Sequence, residues 1–469
     1  MEITVAYGAA LAAILISIIC RRIILSIAAR FKNHFRSLIL YPLILQRNKH
    51  TGSVNRLDLI SLFVFLGANV VALIWPPNDH DALSRRASLL SLLNLIPLFL
   101  GGKTNPLMSF VGLSLQKYYF AHHWFGRVAA VEGLIHAGLS LYEDQIRTNN
   151  ISISGYTVTI LLAGGFWVAT TLFRFLRTLY RGRAEVDIWE DGLAVRAQVR
   201  LRRPLKVYPG CYFYLYFPEA SFRLIIRGFP MNVAWWNVSD AQGSGYSSEL
   251  LFLLHRSGSI FDLTKRAGSF RKVLLDGPYG QDLRLYEYEN VILTAKGPGI
   301  VGVLPHALHL AGRRLHDEQH RARIHKDLSR TLYKDKTRKV DLFWVLDDNS
   351  QQRWLQDELR VLQKLDPKNK ILCIWCIYPS PKRHKAPFQR NAYWRCLYPN
   401  SESNFYQNGI VGEIGAGSHS PGKTIVVSCG EPLFTCQIRD EVIRNASMEF
   451  AEVEYRPIYS SRPQDTQLE

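Results

Sequence analysis

The sequence predicts a membrane α-helical bundle of about five spans, each near bilayer length, followed by an antiparallel β-barrel domain and an α/β nucleotide-binding domain. Three observations carry this prediction. Apolar runs dominate residues 1–180. Alternating strand-like patterns take over from residue 182. After residue 286, strand and helix patterns alternate behind a glycine-rich turn.

The predicted spans are 3–20, 57–75, 88–102, 120–141 and 154–175, the third being short. The first lacks a basic start and reads as an anchor, not a cleaved signal. The formal charge is +18, but the basic residues do not form one stripe, so no nucleic-acid partner is expected. Eight of them, including Arg21, Arg22, Lys32 and Arg36, lie in the loop 21–56, and "RFLRTLYRGR" follows the last span. Positive loops stay cytoplasmic. With five spans and an outer N-terminus, both basic segments fall inside, and the connectors 76–87 and 142–153 face out. Asn150, in Asn-Ile-Ser, is a candidate glycan acceptor on the outer side. Seven cysteines are scattered, with no disulfide framework; Cys373 and Cys376 form a C-x-x-C inside a strand-like run, with no second pair to make a zinc site.

The fourth span holds three histidines, in "AHHWFGRVAAVEGLIHAG". His122 and His136 are fourteen positions apart, a rise of about 21 Å and within about 40° of whole turns. They share one helix face near opposite leaflets, with Gly126, Ala129 and Gly133 between them. Two readings stand. The small residues form a smooth groove for a flat macrocycle, with neutral imidazole as an axial iron ligand. Alternatively, they let another helix pack closely, with the histidines hydrogen-bonded inside. The histidine pair tilts the balance to haem. Glu132, on the same helix, needs a partner.

In the soluble half, "AVRAQVRLRRPLKVYPGCYFYLYFP" alternates and breaks at Pro-Gly, and "LLFLLHRSG" and "RKVLLDGPYG" continue the barrel to residue 285. "GPGIVG" then places Gly297, Gly299 and Gly302 after a strand, "VILTA", and before a helix, "VLPHALHL". Glycines at a helix start let backbone N–H groups approach a pyrophosphate. Pro298 removes one donor. The α/β domain runs over 286–458, with a Ser-, Pro- and Gly-rich excursion at 379–422 and a tail over 459–469 read as disordered.

Taken together, "HHWFGRVAAVEGLIH", "RRASLLSLLNLIPLFLGGKTNPL", "GPYG", "AKGPGIVGVLP", "DLFWVLDD" and "VVSCG" resemble, in order and place, the ferric reductase and NADPH oxidase superfamily in its fungal metalloreductase style. The resemblance implies a ferredoxin reductase-like module, with an FAD-binding barrel over 182–285 and an NADPH-binding domain over 286–458, both cytoplasmic, behind a plasma-membrane bundle over 1–180. It implies NADPH, FAD and haem b as cofactors and ferric chelates as extracellular electron acceptors. It places Pro230 and Met231 in the flavin motif, with Phe229 where histidine is expected and Met231 where phenylalanine is expected. A packed strand carrying Trp235 and Trp236 is the other reading of that stretch. Gly277, Tyr279 and Gly280 fall beside the flavin cleft, and Cys429 and Gly430 against the nicotinamide, the thiol near the hydride-transfer carbon. His122 and His136 are implied as haem-iron ligands. The family pattern also has a second helix with a matching histidine pair, but no histidine occurs between His136 and His255. Two helices of that pattern are therefore not in this chain, and each iron would lack its second histidine within it.

Overall fold

The computed structural model describes residues 35–45, 53–76, 80–100, 115–144, 154–191, 194–217, 228–237, 246–255, 272–323, 332–381, 386–398, 422–444 and 448–453, with Gly8, Ile410 and Gly412. The chain divides into two units, Met1–Leu176 and Arg177–Glu469.

In the first unit, β1 (Leu43–Leu45) and β2 (Val54–Asn55) form a short antiparallel pair. Asn55 then starts α1 (Arg56–Ile74) through a reciprocal capping box: its Oδ1 accepts from Asp58 N–H at 2.8 Å, and Asp58 Oδ2 accepts from Asn55 N–H at 3.2 Å. Three further helices follow, α2 (His80–Leu100), α3 (Leu115–Asp144) and α4 (Ser154–Arg181). A buried polar chain ties the first three together. Asn94 of α2 donates to Glu132 of α3 at 2.8 Å and to Asn69 Oδ1 of α1 at 2.7 Å, and Asn69 donates to Phe65 O at 2.8 Å. Glu132 thereby has the partner its burial demands.

Outward faces of this unit are apolar. Phe63, Val64 and Val71 on α1 and Val168, Leu172 and Phe175 on α4 are exposed, as a lipid environment requires. Among the described residues, one helix, α1, is long and apolar enough to cross a membrane. The count of about five spans is therefore an expectation of which the described residues show one such helix. The stretches 88–102, 120–141 and 154–175 are helical as expected, but α2 opens with Asp81, Arg85 and Arg86, and α3 carries Lys117, Arg127 and Glu132. The span expected at 3–20 lies outside the described residues, as do Asn150, most of the 379–422 excursion and the tail.

The second unit is built on two sheets. The first holds β3 (Ala184–Asp191), β4 (Ala194–Lys206), β5 (Tyr212–Tyr216), β6 (Phe229–Asn232), β7 (Trp235–Trp236), β8 (Tyr246–His255) and β9 (Lys272–Tyr279). Its order is β6-β5-β9-β3-β4-β8-β7, antiparallel throughout. The edge strands β6 and β7 are consecutive in the chain, so the sheet rolls back on itself, with no ladder between them among the described residues. The expected barrel is thus a curled sheet. Its break at Pro209-Gly210 follows from Gly210, whose φ of +79° suits glycine.

The second sheet is parallel, in the order β13-β12-β11-β10-β14-β15. It comprises β10 (Asn290–Lys296), β11 (Lys339–Val345), β12 (Leu372–Ile377), β13 (Trp394–Leu397), β14 (Thr424–Cys429) and β15 (Met448–Glu452), with α5 (Ile300–Arg323), α6 (Gln356–Leu365) and α7 (Pro432–Arg444) as connections. The near-continuous apolar runs "VILTA" and "TIVVS" suit strands covered on both faces. Strand order reverses between β10 and β14, which opens a crevice at their carboxyl ends. The C-x-x-C residues Cys373 and Cys376 lie on β12, as a strand reading requires. Arg196 of β4 joins the two sheets: its Nη2 donates to Glu358 of α6 at 2.5 Å and its Nη1 to Trp354 O at 2.8 Å.

Candidate functional site

The glycine turn and the Cys-Gly pair meet at the switch point. Gly297 leaves β10 with φ +51°, a conformation that favours glycine. A Cβ on Gly299 would sit 2.2 Å from Cys429 O and 2.9 Å from Gly430 Cα. A Cβ on Gly302 would sit 2.5 Å from Cys429 Sγ. The first turn of α5 is therefore pressed onto the end of β14, and only hydrogen at these positions allows it. Gly302 faces Cys429 and Val453 and packs helix against strand. Cys429 is fully buried, with its thiol turned to Gly302, not to solvent. Sequence spacing cannot distinguish a thiol facing a ligand from one facing the neighbouring helix.

Beside this turn lies a cavity of about 770 Å³, lined in part by Lys296, Asp347, Glu431, Asp440, Glu441 and Arg444. Its place at the carboxyl ends of β10, β11 and β14, next to a helix N-terminus, fits the pyrophosphate and ribose of a dinucleotide. Lys296 pairs with Glu431, and Arg444 Nη1 lies 2.5 Å from Glu441 Oε2.

A second group of expected residues gathers on the curled sheet. Pro230 pairs across β5 with Tyr214, and Tyr214 pairs with Asp276 of β9; Tyr212 pairs with Tyr279. The rings of Tyr212, Tyr214 and Tyr279 stand 5.8–5.9 Å apart. Gly277 and Gly280 flank Tyr279 in backbone conformations of φ +157° and +112°. Tyr279 donates to Asp276 Oδ1 at 2.7 Å. Arg177, at the end of α4, donates to Tyr279 Oη at 2.6 Å and to Asp276, and Arg181 donates to Gly277 O. Two guanidinium groups beside one carboxylate leave net positive charge on this face, the donor set that a flavin dinucleotide's phosphates need. The expected flavin motif lies on β6. Burial alternates along β6, so Met231 and Phe229 turn into the core while Pro230 and Asn232 remain half-exposed. Met231 is paired with Phe213 and fills the sheet's interior. Trp235 and Trp236 are core residues too.

Residues 87–182 match the family described as ferric reductase like transmembrane component. Ferric reductase transmembrane component 5 of Saccharomyces cerevisiae is 24% identical over 301 residues, covering 50% of this chain and 42% of that protein. Over these stretches the chain is similar to ferric reductase-like proteins. Ferric/cupric reductase transmembrane component 2 of the same yeast is 24% identical over 168 residues, covering 34% of this chain and 22% of that protein. The chain spans less than half the length of these relatives. Among solved structures, it is similar to the CS-b5R domains of human Ncb5or in the NAD+ form, at 14% identity and TM-score 0.36, over 58% of this chain and 69% of that one. Phthalate dioxygenase reductase gives 12% identity and TM-score 0.35, over 59% and 69%.

The matched family segment contains α3 and its histidines. His122 Nδ1 lies 3.2 Å from Tyr118 Oη. His136 Nδ1 lies 3.0 Å from Ser84 Oγ and 3.1 Å from Ser84 O, both on α2. The face between them is packed against α2: Ser91 Oγ donates to Ala129 O at 2.8 Å, and a Cβ on Gly133 would meet Ser91 Oγ at 3.4 Å and one on Gly126 Leu98 at 3.8 Å. Ala129 is 3% exposed. The close-packing reading of the small residues describes this face. It does not fit a haem lying between the two histidines, because α2 already fills the groove.

Several contributors were missed from the sequence. Arg177 and Arg181 read there as topology signals, and the tyrosines of β5 as ordinary strand residues. Asp347 was quoted only within "VLDD"; its position just after a strand beside the glycine strand was the available signal.

Proposed function

We propose that this ferric reductase-like membrane protein is a flavin-dependent NAD(P)H:acceptor oxidoreductase, with both cofactors held in its second unit. The observation that carries the proposal is the glycine turn pressed onto β14, with a 770 Å³ cavity lined by Lys296 and Glu431 beside it at the sheet's switch point. The N–H groups in the first turn of α5 after Ile300, beside that cavity, would receive the dinucleotide's pyrophosphate. Gly299 and Gly430 keep the backbones close enough for that approach, and Cys429 sets the spacing through Gly302. FAD, when bound, accepts a hydride and releases electrons one at a time. Pro230 and Tyr212 offer it a face, while Arg177 and Arg181 neutralise its phosphates.

Ferric chelate is the acceptor class that the yeast relatives' names support. The packed face between His122 and His136 favours a second reading, in which the acceptor is reduced on the side that holds the nucleotide. Detergent-solubilised full chain, supplied with FAD, should oxidise NAD(P)H with ferricyanide, and Gly299→Trp should abolish this. Unchanged turnover in that variant would remove the site assignment. Ferric-chelate reduction by intact cells, compared with inside-out vesicles, separates the two acceptor readings.

A further inference from the structure

We propose that His316 and His320, in the last two turns of α5, chelate a divalent transition metal of the kind imidazole prefers, Cu(II), Ni(II) or Zn(II). The site is separate from the nucleotide cavity and does not depend on that reading.

Residues four apart on a helix are neighbours on one face, and these two rings stack, 3.8 Å between centroids and 29° apart in plane. The inner nitrogen of each ring is committed as a donor. His320 Nδ1 lies 3.0 Å from His316 O, a carbonyl that can only accept. His316 Nδ1 lies a long 3.4 Å from Asp317 Oδ1, which already accepts from Tyr333 N–H at 3.0 Å. A neutral imidazole that donates through Nδ1 keeps its lone pair on Nε2. Both rings therefore present the same atom, Nε2, at their outer ends. A carbonyl or carboxylate behind the inner nitrogen is also what fixes tautomer and orientation in metal-bound histidines and raises their basicity as ligands.

The supports are themselves held. Asp317 is buried, and its Oδ2 accepts from Lys334 N–H at 3.1 Å. The Tyr333 ring packs on His316 with centroids 4.9 Å apart. Arg313, three residues before His316, lies over the Tyr333 ring at 4.0 Å and donates through Nε to Asp335 at 2.7 Å, so its charge is balanced. His316 and His320 are both partly exposed, which gives an ion access. From Ile300, where α5 starts, to His316 is about 24 Å of helix, far from the glycine turn. Among the described residues no third His, Cys, Asp or Glu joins the pair. Two imidazoles leave coordination positions open to water, so the ion is exchangeable, not a closed structural centre.

The test titrates Ni(II) calorimetrically into the detergent-solubilised full chain. The unmodified chain should bind it, and His316→Gln and His320→Gln should each weaken the tightest binding at least tenfold. Thermal unfolding without metal should give one midpoint for all three proteins, which separates a lost ligand from a lost fold. Cu(II), added below one equivalent to the unmodified chain, should show the nitrogen splittings of two bound imidazoles by electron paramagnetic resonance. If a variant unfolds early, that spectrum decides alone. No Ni(II) binding, binding unchanged in either variant, or a Cu(II) spectrum without two nitrogen ligands overturns the proposal.

Discussion

Replacing Gly302 by alanine sets its new methyl against one named atom. The Cβ would lie 2.5 Å from Cys429 Sγ, 3.2 Å from Cys429 Cβ and 2.9 Å from Val453 Cγ1. Carbon contacts normally sit at roughly 3.5–4.0 Å, so α5 must retreat from β14 by about 1 Å. Overpacking of this kind costs about 1–3 kcal/mol. Cys429→Ala alone removes one buried heavy atom, comparable to Ile→Val, and costs about 0.5–1.5 kcal/mol. The double variant places the new methyl where the sulfur was, so the two costs should largely cancel. The coupling energy should be about 1–3 kcal/mol in favour of the double variant.

Thermal unfolding of the full chain in detergent reads this directly. For a domain of this size each kcal/mol moves the midpoint by about 2–4 °C. Gly302→Ala should therefore lower the midpoint by several degrees, and Cys429→Ala should restore most of it. Additive single effects, or a harmless Gly302→Ala, would show that the helix start does not rest on the thiol. The same three proteins resolve the role of Cys429. Ferricyanide reduction that returns together with stability makes the thiol a positioning residue. Stability that returns without turnover makes it a participant in hydride transfer.

Arg196 and Glu358 are each 9% exposed in their side chains and link the two soluble sheets. Arg196→Met leaves the Glu358 charge buried and should cost about 3–5 kcal/mol, while Arg196→Met with Glu358→Leu should recover much of that; a single variant as stable as the native chain in thermal unfolding refutes the estimate. His306 of α5 is 2% exposed, its Nε2 without a hydrogen-bond partner among the described residues, and burial pushes its pKa down from 6.5 to about 3. Because the folded-state value is depressed, its contribution is intact above pH 6.5 and is lost as pH falls toward 3, at about 1.4 kcal/mol per pH unit. The midpoint should thus drop by the equivalent of about 2 kcal/mol between pH 7 and pH 5, and His306→Leu should flatten that slope; an identical pH profile in the variant excludes His306 as its source.

The soluble half was legible because its signals are local and redundant. Strand alternation, the Pro-Gly break and a glycine turn between a buried strand and a helix each constrain the backbone directly. Side-chain direction was less legible. Phe229 and Met231 sit in a four-residue strand, and pattern alone could not say which side of a curled sheet is interior. Pairing with β5 decides it, and that contact lies far away in sequence. Asp347 illustrates the same limit. Fifty residues separate it from Gly297, and only the parallel pairing of β10 with β11 brings the two together.

Side-chain roles in the membrane half were less legible for a different reason. A stripe of Gly126, Ala129 and Gly133 is the same string whether it faces a macrocycle or a helix, because both demand the absence of side-chain volume. Polar groups elsewhere select between them. Asn94, Ser91 and Ser84 lie on α2 at spacings that put all three against α3, where they meet Glu132, Ala129 O and His136. Satisfying a buried carboxylate and a histidine from one neighbouring helix fixes that helix in place. Once α2 is fixed there, its Leu98 and Ser91 necessarily cover the glycines. Glu132 was the residue beside the histidines that demanded a partner, and its partner, Asn94, is what closes the groove.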